Sequence, residues 1–169
     1  MLGKFKWMGV SLFIILGILT ALYAKKILTP LTKKQISAES LWNRIIKEDN
    51  YQKYSSWPGH KGIQPGKSPH APFSKVFINA TIRDALPIKN KIIPDGGIVV
   101  KEAYDNDKEV VNISVMAKVK DYNPKHDDWF WAQYSPDGKV LESGNPSMCI
   151  NCHNAYMDND YLIIHKLNK

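Results

Sequence analysis

The sequence has few cysteines, few acidic residues and only one long apolar run, and these shortages exclude several classes of protein. Two cysteines in 169 residues cannot build the disulfide framework of a small secreted domain. The 16 acidic residues are outnumbered by 23 basic ones, but the lysines are scattered and no nucleic-acid-binding motif accompanies them. Internal repeats and low-complexity tracts are also absent. We therefore expect one compact domain with a solvated basic surface and no nucleic-acid partner.

The one long apolar run lies near the N-terminus, where Trp7 to Ala24 contains no charged side chain and lysines stand on both sides. Its length is at the lower edge of what a membrane-spanning helix needs. A cleaved signal peptide is the alternative, but cleavage after either alanine near its end would put a leucine where a small residue is required. We predict an N-terminal membrane anchor or uncleaved signal over residues 1–26, a tether over residues 27–36 and a folded domain over residues 37–169.

Two helices and a long loop are predicted in the first half of the domain. Ser37 is a suitable N-cap, and the apolar residues after it share one face at helical spacing, namely Leu41, Trp42, Ile45 and Ile46. A second, short helix is predicted over Thr81 to Leu86. Between them, Tyr51 to Phe73 is dense in proline, glycine, histidine and aromatic residues, which predicts an ordered but irregular loop of the kind that often lines a site.

Five segments rich in valine, isoleucine and aromatic residues predict strands, over Lys75 to Asn79, Gly97 to Tyr104, Val110 to Val119, Asp128 to Tyr134 and Lys139 to Glu142. The third alternates strictly, which predicts one packed face and one mixed face. Ser135 to Gly138 has the composition of a tight turn between the last two strands. The predicted fold class is α+β, a mainly antiparallel β-sheet with flanking helices, preceded by one N-terminal transmembrane helix.

Both cysteines stand in one pentapeptide, Cys149-Ile150-Asn151-Cys152-His153. This spacing is typical of haem c, because the two thiols can add to the haem vinyl groups while the adjacent imidazole binds the iron. A redox-active disulfide would be expected in a thioredoxin-like pattern, which is absent, and a structural zinc ion would need further ligands. A plain disulfide across so short a loop would stabilise little. We predict one haem c, covalently bonded to Cys149 and Cys152, with His153 on the iron.

The position of this motif separates classes of cytochrome. Only 16 residues follow His153, so the opposite face of the haem must be built mostly from upstream segments. Met157 is too close in sequence to reach that face, as the distal methionine of small electron-transfer cytochromes c does, and the strand-rich pattern differs from the four-helix cytochromes c′. Because haem c is attached outside the cytoplasmic membrane, we expect a single-pass protein of the bacterial inner membrane whose haem domain faces the periplasm.

The chain resembles the cytochrome P-460 and cytochrome c′-β family, which carries a C-terminal haem c motif on a mainly antiparallel sheet. The resemblance covers about Leu41 to His165. It rests on four stretches in a fixed order: Pro94 to Glu102, Val115 to Asp121, Asp128 to Ala132, and Cys149 to His153 followed by Asn159-Asp160-Tyr161.

The resemblance implies a five-coordinate haem with His153 on the proximal side and an open or water-occupied distal side, and it implies a homodimer. In enzymes of the P-460 type a lysine is bonded to the haem ring and hydroxylamine or nitric oxide is oxidised, whereas cytochromes c′-β bind small gases. Lys101 is the candidate for that lysine, because it stands in the matching strand on a face shared with small residues. Lys89 is a second choice. The alternative for Lys101 is an ordinary exposed strand lysine.

Several upstream side chains are candidates for the group that faces the iron. His70 ranks first as a cofactor-binding residue, because it is followed by Ala71-Pro72-Phe73 at the start of a strand. The others are His60, His126 and Met116. For the histidines the alternative is an ordinary loop or surface position, and for the methionine it is core packing.

Three functions from different classes follow. The first is a haem protein that binds or converts small nitrogen-oxide ligands, with oxidoreductase activity left open. Oxidation of such a ligand would need a group that transfers protons. Glu102, Asp127 and Asp128 are the candidates, and the alternative for each is a solvated carboxylate. The second is a six-coordinate tethered electron-transfer cytochrome, and the third is a haem-based sensor. The expected partners are a small gaseous or nitrogen-oxide ligand, a redox partner protein and the membrane.

Overall fold

The structure is a computed structural model of the chain and describes residues 29–66, 71–88, 90 and 92–163. The predicted anchor over residues 1–26 lies outside these ranges, as do His70 and Lys89. Within these ranges, no helix is long and apolar enough to cross a membrane.

The described residues form seven strands: β1 Ser55–Ser56, β2 Gln64–Pro65, β3 Phe73–Ile78, β4 Ile98–Tyr104, β5 Val110–Lys118, β6 Trp129–Tyr134 and β7 Val140–Gly144. They make one antiparallel sheet in which β3 to β7 are neighbours in chain order, while β1 and β2 both pair with β3. Short connections keep sequential strands adjacent, which is the usual outcome for such a meander. All five predicted strands are confirmed, with ends that differ by at most two residues.

The segment from Tyr51 to Phe73 is more regular than the sequence predicts. It begins with a short 3₁₀ turn, Tyr51–Lys53, and then contributes β1 and β2, which pair with opposite ends of β3. Strands of two residues have no hydrophobic period to recognise in a sequence. These two short strands form instead because the edge of β3 is available for backbone pairing.

Three α-helices lie in the described ranges: α1 Ala38–Asn43, α2 Ala80–Ala85 and α3 Ser147–His153. After α1 the chain continues as a wider π turn, Arg44–Glu48. Two later segments are 3₁₀ turns, Pro124–His126 and Asn154–Asn159. The first two helices confirm the sequence prediction, and the α+β class is confirmed for the described part of the chain.

The predicted cap and the predicted turn are both present. The Ser37 hydroxyl accepts a hydrogen bond from the Ser40 N–H at 3.1 Å, and the Ser40 hydroxyl accepts one from the Ser37 N–H at 2.8 Å. This reciprocal pair satisfies two donors that the first turn of α1 would otherwise leave unpaired. Between β6 and β7, the N–H of Gly138 donates to the carbonyl of Ser135 at 2.9 Å and closes the turn.

The first face of the sheet packs against α1. Val100 and Val115 lie in one buried cluster with Leu41 and Ile45 of the helix and its π turn. The hydroxyl of Tyr134 donates to the carbonyl of Ala38 at 2.7 Å and ties β6 to the start of the helix. This face is a mainly apolar core.

The second face, which carries Val99, Met116 and Trp131, packs against α3 through Cys149 and Ile150. We call it the site face. The mixed face predicted for β5 belongs to it: Met116 and Lys118 are buried, whereas Asn112 and Ser114 are half-buried.

Candidate haem-binding site

Helix α3 carries both cysteines and the neighbouring histidine. Residues three or four positions apart share one side of a helix, so the thiols and the imidazole are presented together. Both cysteines are free; Cys149 is half-buried against the site face and Cys152 is exposed. Burial raises the pKa of the Cys149 thiol, and the charge of Glu142 acts in the same direction. Two unpaired thiols with this spacing are what thioether attachment of haem requires.

The imidazole of His153 is oriented by the backbone of a later residue. Its Nδ1 donates to the carbonyl of Tyr161 at 2.6 Å, which fixes the tautomer and leaves the lone pair of Nε2 to bind a metal. Burial lowers the pKa of His153 and the ammonium of Lys101 also lowers it, whereas the hydrogen bond to Tyr161 acts in the opposite direction. The neutral imidazole, which is the form that binds iron, is therefore favoured.

The carbonyl that accepts this hydrogen bond belongs to a fixed turn. Asp160 and Tyr161 both adopt the left-handed conformation, with φ of 50° and 63°. The Asp160 carboxylate accepts hydrogen bonds from Lys118 Nζ at 2.5 Å, from the Ile93 N–H at 2.6 Å and from Trp129 Nε1 at 3.0 Å. Burial raises the pKa of this carboxyl, while the Lys118 ammonium and the N–H donors lower it.

Sequence reasoning missed the roles of Lys118, Asp160 and Tyr161. All three stand in stretches that carry the family resemblance, which was the one available signal. The contacts themselves join segments that are far apart in the chain, and no local pattern predicts them.

A row of polar side chains crosses the site face. Cross-strand pairing aligns Lys101 of β4 with Ser114 of β5, and then with Gln133 of β6 and Glu142 of β7. We call these four residues the polar row. Because side chains alternate along a strand, the polar row lies on the same face as Val99, which stands two positions before Lys101.

Lys101 is half-buried in this row rather than exposed. Burial lowers its pKa to about 8. Its charge also reaches His153, whose pKa it helps to lower. Lys101 therefore lies on the side of the sheet against which α3 packs, and α3 carries the predicted iron ligand.

Comparison with known protein families identifies the family of the chain. A model of the family described as Cytochrome P460 matches residues 51–164, which is more than half of the sequence. The chain belongs to the cytochrome P460 family. It is therefore a c-type haem protein, and the predicted resemblance is confirmed. A comparison with curated proteins gave no match.

The residues of this cytochrome P460 chain fit haem c. The donor set is two unpaired thiols and one imidazole whose Nδ1 is already engaged. Two buried polar atoms, Asn112 Oδ1 and Trp131 Nε1, have no hydrogen-bond partner among the described residues, and both residues stand on site-face positions of their strands. Unpaired buried polar atoms are uncommon in folded proteins and need an explanation, which a group bound on this face would supply.

The other candidate ligands occupy different places. His126 Nδ1 lies 3.2 Å from the hydroxyl of Tyr161, and its ring packs edge-on against Tyr161 and Trp131. It therefore lies beside Tyr161, whose backbone carbonyl orients His153. His60 is half-buried in a loop, and Met116 is 8% exposed within the site-face cluster.

The three carboxylates considered for proton transfer do not lie together on the site face. Glu102 is 4% exposed, so it is not a solvated carboxylate, but its side chain points to the first face of the sheet, opposite to Lys101. It accepts hydrogen bonds from the hydroxyls of Tyr51, at 2.7 Å, and Tyr104. Asp127 is exposed, and Asp128 accepts backbone N–H bonds within its own loop. Glu102 is therefore separated from the site face by the sheet.

Proposed function

We propose that this cytochrome P460 chain binds one haem c, with thioether bonds to Cys149 and Cys152 and with His153 Nε2 on the iron. The support is the placement of three donors on one side of α3 and the hydrogen bond of 2.6 Å that directs His153. On the site face, the apolar side chains of Val99 and Trp131 lie in one cluster against which Cys149 packs, so the attachment point stands beside apolar surface.

We propose further that the iron is five-coordinate and binds or converts small nitrogen-oxide ligands such as nitric oxide and hydroxylamine. When bound, the haem supplies a redox-active iron with one position for such a ligand. The polar row contains an amine, a hydroxyl, an amide and a carboxylate, which can donate to or accept from a small polar ligand. Neither histidine nor methionine stands in the polar row, and His126 lies with Tyr161.

The observation that carries this proposal is the half-buried Lys101 on the site face. With its pKa lowered to about 8, roughly a tenth of the Lys101 side chains carry the neutral amine at pH 7. Only the neutral amine is nucleophilic. Lys101 is therefore chemically suited to bond to a haem ring carbon, a step in which Nζ and the ring together lose two protons and two electrons to an oxidant such as a peroxide.

The test is the absorption spectrum of the matured protein, oxidised and reduced, before and after carbon monoxide is added, together with its intact mass. We expect a response to carbon monoxide in the wild type. A broad, red-shifted reduced Soret band and a mass lower by two hydrogen atoms, both lost in Lys101→Ala, would show the ring cross-link and support hydroxylamine or nitric oxide oxidation. Lys75→Ala is the control, because Lys75 is also half-buried but lies on β3, over the Phe77 ring of the opposite face.

Two other outcomes are informative. An ordinary c-type spectrum that responds to carbon monoxide would support gas binding without a cross-link. A low-spin spectrum that does not change with carbon monoxide would contradict the five-coordinate proposal and leave a six-coordinate tethered electron carrier, with Met116, His60 or His70 as the sixth ligand.

We also propose that residues 1–26 anchor the protein in the bacterial inner membrane, with the haem domain in the periplasm. The support is the uncharged run from Trp7 to Ala24 and the maturation of haem c outside the cytoplasmic membrane. A redox partner protein and a homodimer complete the proposal.

A further inference from the structure

A buried ion pair lies beside the residue that orients His153. Lys118 Nζ and Asp160 Oδ1 are 2.5 Å apart, and the two side chains are only 4% and 1% exposed. The pair joins the end of β5 to the turn that follows α3. Its partners are separated by 42 residues in the chain.

Such a pair is not needed simply to hold two segments together. Removing two charges from water is costly, and an apolar pair of similar size often stabilises a protein as well or better. The ion pair instead fixes the position and orientation of the Asp160 carboxylate, because charge-assisted hydrogen bonds are short and defined in angle. Its presence therefore indicates that the exact placement of Asp160 matters.

The surrounding contacts fix residue 160 on several sides. The Ile93 N–H donates to Asp160 Oδ2 at 2.6 Å. Trp129 Nε1 lies 3.0 Å from both the Asp160 carboxylate and the Asp160 backbone carbonyl. Three segments of the chain thus hold a residue whose left-handed conformation is not the intrinsically preferred one.

The next carbonyl along the chain is the one that His153 uses. Tyr161 follows Asp160 directly and is also left-handed, so the placement of residue 160 helps to set where the Tyr161 carbonyl lies. That carbonyl accepts from His153 Nδ1 at 2.6 Å. A continuous set of contacts therefore runs from the Lys118 ammonium to the imidazole.

We propose that Lys118 and Asp160 are positioning residues for the iron ligand. The ion pair holds the Tyr161 carbonyl, and the carbonyl sets the ring orientation of His153 and the strength of its Nδ1–H hydrogen bond. A stronger hydrogen bond makes the imidazole a more basic ligand, which strengthens the bond to iron and lowers the reduction potential. The inference rests on the proposed function, because it takes His153 as the ligand.

The test compares matured Asp160→Asn with Asp158→Asn. Asp158 is exposed and lies two residues earlier, so it controls for the loss of one negative charge in this segment. Resonance Raman spectroscopy of the ferrous protein measures the iron–histidine stretching frequency, and a redox titration measures the potential. We expect Asp160→Asn to lower the frequency and raise the potential, and Asp158→Asn to leave both unchanged.

Variants of the partner separate positioning from simple stability. Lys118→Arg keeps the charge, so we expect a frequency and potential close to the wild-type values. Lys118→Met removes the charge and should shift both in the same direction as Asp160→Asn. If Asp160→Asn matures poorly, Trp129→Phe removes one donor to Asp160 while keeping an aromatic ring, and the expected shift is smaller and in the same direction.

The outcomes distinguish the two proposals. If the wild type carries no haem c, or if His153→Ala keeps the same iron–histidine band, the proposed function fails. If the wild type carries haem c on His153 but the frequency and potential do not move in Asp160→Asn, or in Trp129→Phe where that variant is used instead, only the positioning role is overturned.

Discussion

At the scale of single residues, burial sets the protonation state of two side chains of the site, the Lys101 amine and the His153 imidazole. Lys101 is half-buried, and its pKa is lowered from 10.5 to about 8 by burial. Burial also lowers the pKa of His153. Both groups are thereby shifted toward their neutral forms, in which an imidazole binds iron and an amine is nucleophilic.

The cost of burying the Lys101 ammonium predicts how stability depends on pH. The folded-state pKa of about 8 lies below the ordinary value of 10.5, so the cost is complete below about pH 8 and disappears as the pH rises toward 10.5. In a chain whose two cysteines are replaced by alanine, so that no haem is attached, Lys101→Met should be the more stable protein at pH 7. We expect a difference on the order of 1–3 kcal/mol, given about 1.4 kcal/mol per pKa unit.

Urea unfolding at several pH values measures this difference in the free energy of unfolding. The difference between Lys101→Met and the parent chain should shrink as the pH approaches 10. Lys101→Arg is the control, because a guanidinium stays charged throughout and its burial cost persists. A constant difference between the methionine variant and the parent would contradict the prediction.

At the scale of elements, the turn between β6 and β7 is fitted to the helix that packs on the first face. Gly138 has a φ of +90°, and a Cβ added there would lie 2.6 Å from the Trp42 ring of α1. The Trp42 ring in turn packs against the Tyr134 ring at 4.7 Å between centroids. The turn and the helix therefore cannot be changed independently.

We predict that Gly138→Ala lowers the free energy of unfolding by more than Gly59→Ala does. Gly59 also has a positive φ, of +79°, but nothing lies within 4 Å of a Cβ added there. The backbone penalty of about 1 kcal/mol is common to both variants. The clash with Trp42 is specific to Gly138. Denaturant unfolding of the two variants checks this, and equal losses would show that the Trp42 ring moves aside at no cost.

At the scale of the whole molecule, the sheet separates two environments. One face is a mainly apolar core against α1, and the other combines α3 with the polar row and the Lys118–Asp160 pair. The predicted site thus uses residues from four strands and from the C-terminal segment. Such a site exists only in the folded chain, whereas the covalent attachment points lie within five residues.

The proposed membrane anchor gives a prediction at this scale. If residues 1–26 are replaced by a cleavable secretion signal, we expect haem c to be attached as before and the protein to move from the membrane fraction to the soluble periplasmic fraction. Haem staining of the separated fractions measures this. A native protein found in the soluble fraction with its N-terminus removed would instead support a cleaved signal.

Much of the fold was determined by local sequence signals. The alternation in Val110 to Val119 predicts β5, Ser37 predicts the start of α1, and Ser135 to Gly138 predicts the turn. The spacing of Cys149, Cys152 and His153 predicts the haem chemistry in the same way. Each of these signals acts over a few residues, where backbone preference and side-chain periodicity are sufficient.

The tertiary structure alone decided which polar side chains are buried and what they contact. Glu102 and Lys101 are neighbours in sequence, yet strand alternation sends them to opposite faces. Lys118 is a polar residue on a strand, and only the turn after α3 supplies the carboxylate of Asp160 that makes its burial tolerable. Burial and pairing depend on which distant segment covers a residue, and no local period encodes that.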